Sequence, residues 1–306
     1  MIILNSGNAL KIAAAALGVS LLSACGNTSS NNSQFDEIPD SLQGAPLQLS
    51  ENVVNDMIQN ISSPVEMANQ ILKSGAAFDK SVLNDAEKMK DYNTSFKRSL
   101  NLGAYSADLG YINTFNKNSV VVSYLLAVKE LADGLNVGQF LDFTTLSRLA
   151  KNSTNLDSLK QLSVSSFNEM DKYLREQKRS NVSTAIVAGA WVEGIFITCK
   201  VIEQTQDPEL INRLGEQKDI VGILLIILNN YSRGDANFQE LVSKVDDVKK
   251  IYDDVQITYE LGEPVTKEVD GMLVIEQNEL THVKITPEQV SAIIAKVNDL
   301  RQFIVE

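Results

Sequence analysis

Histidine is almost missing from this 306-residue chain, where His282 is the only one. Zinc sites with two or more histidines are therefore excluded by count, and any Ser-His-Asp or Cys-His arrangement would have to use that residue. His282 stands between Thr281 and Val283 in a strand-like stretch, an ordinary setting for a structural or exposed imidazole. Cysteine is nearly as scarce: Cys25 and Cys199 are the only two, and no Cys-x-x-Cys occurs. Neither Gly-x-x-x-x-Gly-Lys-[Ser/Thr] nor Gly-x-Gly-x-x-Gly is present, so nothing suggests a phosphate cradle. A basic excess is missing too. Against 39 Asp and Glu there are 27 Lys and Arg, a net charge of −12, which disfavours nucleic acid as a partner. These absences predict a protein that is not an enzyme and holds no metal or cofactor; a site made of carboxylates alone is the chemistry that the counts leave open.

What is present begins with an export signal. Lys11 precedes an apolar run from Ile12 to Leu22, too short to span a bilayer as a helix. Leu22-Ser23-Ala24-Cys25-Gly26 comes directly after it and resembles the lipobox of bacterial lipoproteins. Small residues at Ser23 and Ala24 suit the narrow subsites of a signal peptidase. The resemblance implies removal of residues 1–24, a diacylglyceryl thioether on Cys25, and a further acyl chain such as palmitate on the new amino group. Each buried CH₂ contributes about 0.8 kcal/mol and one chain holds only marginally, so two or three chains anchor the protein without a transmembrane helix. Gly26 is not the aspartate that retains many enterobacterial lipoproteins in the inner membrane, which favours the outer membrane. With Cys25 acylated, Cys199 is the only thiol and no intramolecular disulfide can form. Its setting, Ile195-Phe-Ile-Thr-Cys199, predicts an inert buried thiol.

Residues 25–48 read as the lipidated cysteine and a tether. Gly26-Asn-Thr-Ser-Ser-Asn-Asn-Ser33 is polar and non-periodic, and Pro39, Gly44 and Pro46 interrupt the remainder of the stretch. About 20 flexible residues have an r.m.s. reach of roughly 25 Å, enough to stand a folded body off the headgroups. Asp40-Ser41-Leu42 also looks like the O-glycosylation sequon of Bacteroidetes envelope proteins.

From residue 49 to 255 the pattern is helical. Ser50 is a plausible N-cap, and Ser63-Pro64 and Asp207-Pro208 mark further starts, since proline is tolerated in the first helical turn. Later helices are expected over 81–91, 94–116, 118–134, 138–151, 155–178, 181–204, 207–232 and 236–255. Their short polar connections imply antiparallel neighbours. The fold class is thus mainly α, antiparallel helical hairpins or a bundle. Leu102-Gly103, Tyr105, Gly110, Ala127 and Ala132 suggest a tetratricopeptide-like hairpin, but the spacing does not recur at a fixed period. Residues 256–306 change character: Ile257-Thr-Tyr-Glu-Leu261 alternates, Asp270-Gly271 signals a turn, and Thr286-Pro287 opens a last helix. Val290, Ile293, Ile294, Val297, Leu300 and Ile304 form its apolar stripe. This stretch reads as a small β-hairpin-plus-helix appendage.

Residues 235–306 carry 15 acidic and 7 basic residues. Asp246-Asp247 and Asp253-Asp254 share a helix face, but Lys249 and Lys250 lie between them and no calcium-loop pattern is present, so a solvated face is the better reading. More telling are acids in apolar helices. Two apolar stripes on 94–116 make that helix central and place Asp108 where an unpaired carboxylate is costly. Glu193 is the only charge between Val182 and Cys199, a run that reaches the length of a membrane span but reads as a core helix because of that charge. Together these residues define a candidate ligand pocket: Asp108 and Glu193, with Tyr105, Tyr111 and Trp191 as aromatic walls. The competing expectation is a satisfied structural network.

Leu102-Gly-Ala-Tyr-Ser-Ala-Asp-Leu-Gly-Tyr111, Tyr124, Leu131-Ala-Asp133, Val182 to Gly194 and Arg213-Leu-Gly-Glu-Gln-Lys218 together resemble segments of a group of helical Bacteroidetes envelope lipoproteins with no established activity. The resemblance covers most of residues 50–255 and leaves 256–306 uncovered. It implies a setting and no mechanism. The resulting expectation is a lipid-anchored envelope protein that binds another protein or belongs to an envelope assembly. The alternative is a lipoprotein that captures a small solute or glycan in its helical body. An imelysin-like iron protein is disfavoured because Gly-x-His-x-x-Glu has no match.

Overall fold

Local chemistry starts the helices. Thr94 accepts a hydrogen bond from the Lys97 amide, Asp207 from that of Leu210, and Asp235 from those of Asn237 and Phe238, each satisfying an otherwise orphaned donor of a first turn. The computed structural model describes residues 70–150, 156–262, 265–269, 272–276 and 279–306. The export signal, Cys25, the tether and the helix starts at Ser50 and Ser63-Pro64 lie outside the described residues.

The described chain is mainly α-helical, as the periodicity implies. In order come α1 (Ser95–Thr114), α2 (Asn118–Gly134), α3 (Phe143–Ala150), α4 (Leu156–Glu176), α5 (Ser180–Thr205), α6 (Pro208–Ser232), α7 (Ala236–Tyr252) and, last, α8 (Pro287–Val305). Two expected helices are broken. Residues 81–91 form two short 3₁₀ turns, Lys80–Val82 and Ala86–Asp91. Asp79 and Asp85 stand before them with extended backbones and each accepts an amide two residues on, so the chain restarts at each aspartate and no helix runs through. The stretch 138–151 likewise divides into a turn at Gly138–Phe140 and then α3, because Leu141 is extended and Asp142 caps the Thr145 amide.

Four strands, β1 (Gln256–Leu261), β2 (Val265–Val269), β3 (Met272–Glu276) and β4 (Glu279–Lys284), form two antiparallel pairs, β1 with β4 and β2 with β3. Asp270-Gly271, where a turn was expected between β2 and β3, lies outside the described residues. The base of the hairpin is seated on α6. A Cβ at Gly215 would lie 2.4 Å from the Val283 methyl, and Lys218 Nζ donates to the carbonyl oxygens of Asp253 and Val255 at 3.0 and 2.6 Å.

Helix α8 opens with a capping box between Thr286 and Gln289, with Pro287 at its first position. Val290, Ile293, Val297, Leu300 and Ile304 are buried, matching the expected stripe. That stripe packs on α5 and α7 and reaches α1, so the helix after the hairpin is part of the main core. The most extensive contact in the fold is between α1 and α5. Helix α5 is long and apolar enough to cross a membrane, yet 78% of its most apolar window is buried inside the protein, as befits a core helix. Cys199 on it is fully buried, and burial pushes its thiol far above the ordinary range.

Candidate functional site

Close approach of α1 and α5 creates the site. Gly103 on α1 faces the backbone of Ile186 and Ala190, and Gly189 on α5 faces the backbone of Leu100; a Cβ at either would fall within 2.0 Å of a carbonyl oxygen. With the two backbones this near, Asp108 of α1 and Glu193 of α5 meet in the core, at 0% and 1% exposure.

Burying two carboxyl groups demands compensation. Arg301 of α8 supplies one positive charge. Its Nε and Nη2 donate to the two carboxylate oxygens of Glu193, both at 3.1 Å, and its guanidinium lies 4.6 Å from the Phe196 ring centroid. A planar fork on a carboxylate and over an aromatic face is a geometry that lysine would not reproduce. Asp108 has no such cation. Its Oδ2 accepts the Asn84 amide at 3.2 Å, and its Oδ1 is buried with no donor on it. Burial pushes Asp108 well above the usual carboxylate range, and the charge of Glu193 adds to the shift. Burial raises Glu193 as well, but the Arg301 fork opposes that.

A second layer of polar groups ties this cluster to the end of α8. The Asn84 side-chain amide donates to Asn101 Oδ1 and to Tyr92 Oη, both at 3.1 Å. Asn101 passes the chain on to the Ile304 carbonyl at 2.8 Å, and Tyr92 donates to the Val305 carbonyl at 3.2 Å. Both amide hydrogens of Asn84 and both of Asn101 are used, the second on Asn101 going to the Lys97 carbonyl. These bonds satisfy carbonyls at the last turn of α8 that have no partner within the helix. Tyr105 flanks the cluster, donating to the Asp85 carbonyl at 2.8 Å, and Tyr124 of α2 meets it edge to face at 6.0 Å. Burial drives both phenols far above their ordinary value, so they stay neutral.

Of the five residues proposed as pocket lining, then, Asp108, Glu193 and Tyr105 are neighbours. The other two face elsewhere. Tyr111 Oη accepts the Asp79 amide at 3.1 Å and its ring stacks on Phe78. Trp191 Nε1 donates to Gln217 Oε1 of α6 at 3.0 Å. Four participants were missed in the sequence: Asn84, Tyr92, Asn101 and Arg301. Arg301 alone left a signal, as a basic residue one position after Leu300 in the apolar stripe of α8.

The acidic cluster of α7 and the histidine lie at the surface. Lys250 pairs with Asp246 at 2.9 Å and Asp247 at 3.3 Å, and Lys249 with Asp253 at 2.6 Å, which makes this acidic face a solvated, self-paired one. His282 on β4 is exposed and lies 3.4 Å from Glu260 on β1. Among the described residues no three His, Cys, Asp or Glu side chains converge in a way that would hold a metal ion. No family model, curated protein or solved structure matches this chain.

Proposed function

We propose that this chain is a lipid-anchored component of the cell envelope, carried in the outer membrane, that works by binding another envelope protein and performs no catalysis. The observation that carries the reading is Leu22-Ser23-Ala24-Cys25 placed directly behind an apolar run, with a polar tether between that cysteine and the helical body. The interior supports it as well. Asp108, Glu193, Tyr105, Tyr111 and Trp191 have bonding partners within the protein, the arrangement of a scaffold. On α2 the side chains of Val122 and Leu126, one turn apart, are about half exposed and offer an apolar contact to a partner.

The alternative is capture of a small solute or glycan between α1 and α5. It needs the bonds around Asp108 and Glu193 to open, which weighs against it. Two measurements separate these readings. Cys25→Ser should move the protein from the membrane to the soluble fraction with its helical circular dichroism intact. Retention in the membrane would refute the anchor and return attention to α5 as a span. Crosslinking of intact envelopes should then yield a stoichiometric protein partner, whereas a bound solute in native mass spectrometry would favour the alternative.

A further inference from the structure

The buried cluster contains two acids and one cation. With Asp108 and Glu193 both ionised, Arg301 would leave a net negative charge in the core, and an uncompensated buried charge costs several kcal/mol. Two buried carboxyl groups that share one cation resolve this by keeping one proton between them. The atoms agree. Both oxygens of Glu193 lie on the Arg301 fork, Asp108 Oδ2 is taken by the Asn84 amide, and Asp108 Oδ1 is buried without a donor from any neighbour. An O–H on Asp108 directed at Glu193 satisfies the orphan.

We infer that Asp108 and Glu193 form a single-proton site, and that this proton is the pin of a pH-operated latch holding α8 to the body. The latch is a physical chain. Asp108 grips the Asn84 amide, Asn84 grips Asn101 and Tyr92, and those two hold the Ile304 and Val305 carbonyls, while Glu193 grips Arg301 four residues before the end of α8. When the Asp108 O–H bond breaks, the proton leaves to solvent and two adjacent carboxylates compete for one guanidinium. The titratable groups that feel the pair are Tyr105 on α1, Tyr124 on α2 and Tyr92 ahead of α1, and at the end of α8 Lys88 donates to the Val305 carbonyl at 3.4 Å. The three tyrosines are pushed up by burial and remain neutral, so none of them replaces the lost proton with a charge.

Linkage gives the sign. A carboxyl whose value is raised on folding binds its proton more tightly in the folded state. Its contribution is fully present below the unfolded value of about 3.9 and is lost as pH rises through the raised folded value. The latch is therefore closed in acid and released as pH rises through that raised value.

The test uses the mature protein with ¹³C in the aspartate carboxyl groups. Infrared spectra across a pH titration should show one aspartate C=O band that stays protonated above the range of an ordinary aspartate, disappears as pH rises further and is absent in Asp108→Asn. In wild type, the folding equilibrium constant should fall by up to tenfold per pH unit between the ordinary aspartate value and that titration, and level off above it. Asp108→Asn keeps an acceptor for Asn84 and offers an N–H to Glu193 in place of the proton, so it should not share that fall. Amide exchange, corrected for its intrinsic pH dependence, should rise in α8 before α6 and α7. A wild-type titration in which no aspartate stays protonated above the ordinary range overturns the proposal, and this reading does not depend on whether the variant folds. An equal pH slope in both proteins, or α8 opening only together with α6 and α7, also overturns it. None of these readouts involves the membrane anchor, so the two proposals fail separately.

Discussion

Gly189 stands so near the carbonyl oxygen of Leu100 that a Cβ would lie 1.8 Å from it, and Gly103 stands in the same relation to Ile186, at 2.0 Å. The obstacle in both cases is backbone, which cannot rotate aside. Gly189→Ala should therefore cost about 3 kcal/mol or more, the upper range for overpacking a core. Gly110, on the same α1, would meet nothing within 4 Å, and Gly110→Ala should stabilise by about 0.5–1 kcal/mol through helix propensity alone. Urea midpoints moving in opposite directions are the expected result; a common direction would refute the packing argument.

Arg301→Met removes the only positive charge on the buried pair. The expected loss is about 3–5 kcal/mol, because Glu193 is left as an uncompensated charge. Arg301→Lys should fall between wild type and Met, keeping the charge but losing the fork on Glu193 and the stacking on Phe196. Combining Glu193→Gln with Arg301→Met should recover part of the loss. A double variant as unstable as the sum of its parts would show that the two residues do not act as a pair.

Trp191→Phe keeps most of the ring but removes the donor to Gln217. The acceptor left buried should cost about 1–3 kcal/mol. Thermal unfolding of that variant beside Trp191→Phe/Gln217→Leu checks it, since removing both polar groups should restore some stability.

Lys178, between α4 and α5, is exposed and adopts φ 57°, a left-handed conformation that side chains with a Cβ disfavour. Lys178→Gly should raise stability by about 1 kcal/mol, with Lys178→Ala close to neutral as the control. A destabilised glycine variant would mean that the unfolded chain's added freedom outweighs the relief of strain.

The sequence is most legible where structure is decided within a few residues. Asp207-Pro208 and Thr286-Pro287-Glu288-Gln289 announce helix starts because cap, proline and first-turn donor are neighbours in the chain. Asp79 and Asp85 mislead for a related reason: an aspartate that caps its own following amide competes with a helix that periodicity alone would continue. Buried acids are legible too, since Asp108 and Glu193 stand among apolar neighbours at helical spacing. Their partners are not. Arg301 lies 108 residues beyond Glu193, and Asn84 and Asn101 are ordinary polar residues until the fold assembles them into one chain of hydrogen bonds. The same limit explains why 256–306 looks like an appendage: a hairpin separates α8 from the helices it packs on, and spacing along the chain says nothing of its return to the core.

That return makes the centre of the core depend on the far end of the chain. Glu193 and Arg301 are 108 residues apart, and the Glu193 carboxylate meets its guanidinium only when α8 is docked. A protein cleaved in the hairpin and stripped of α8 should therefore have α1 and α5 loosened and sensitive to protease.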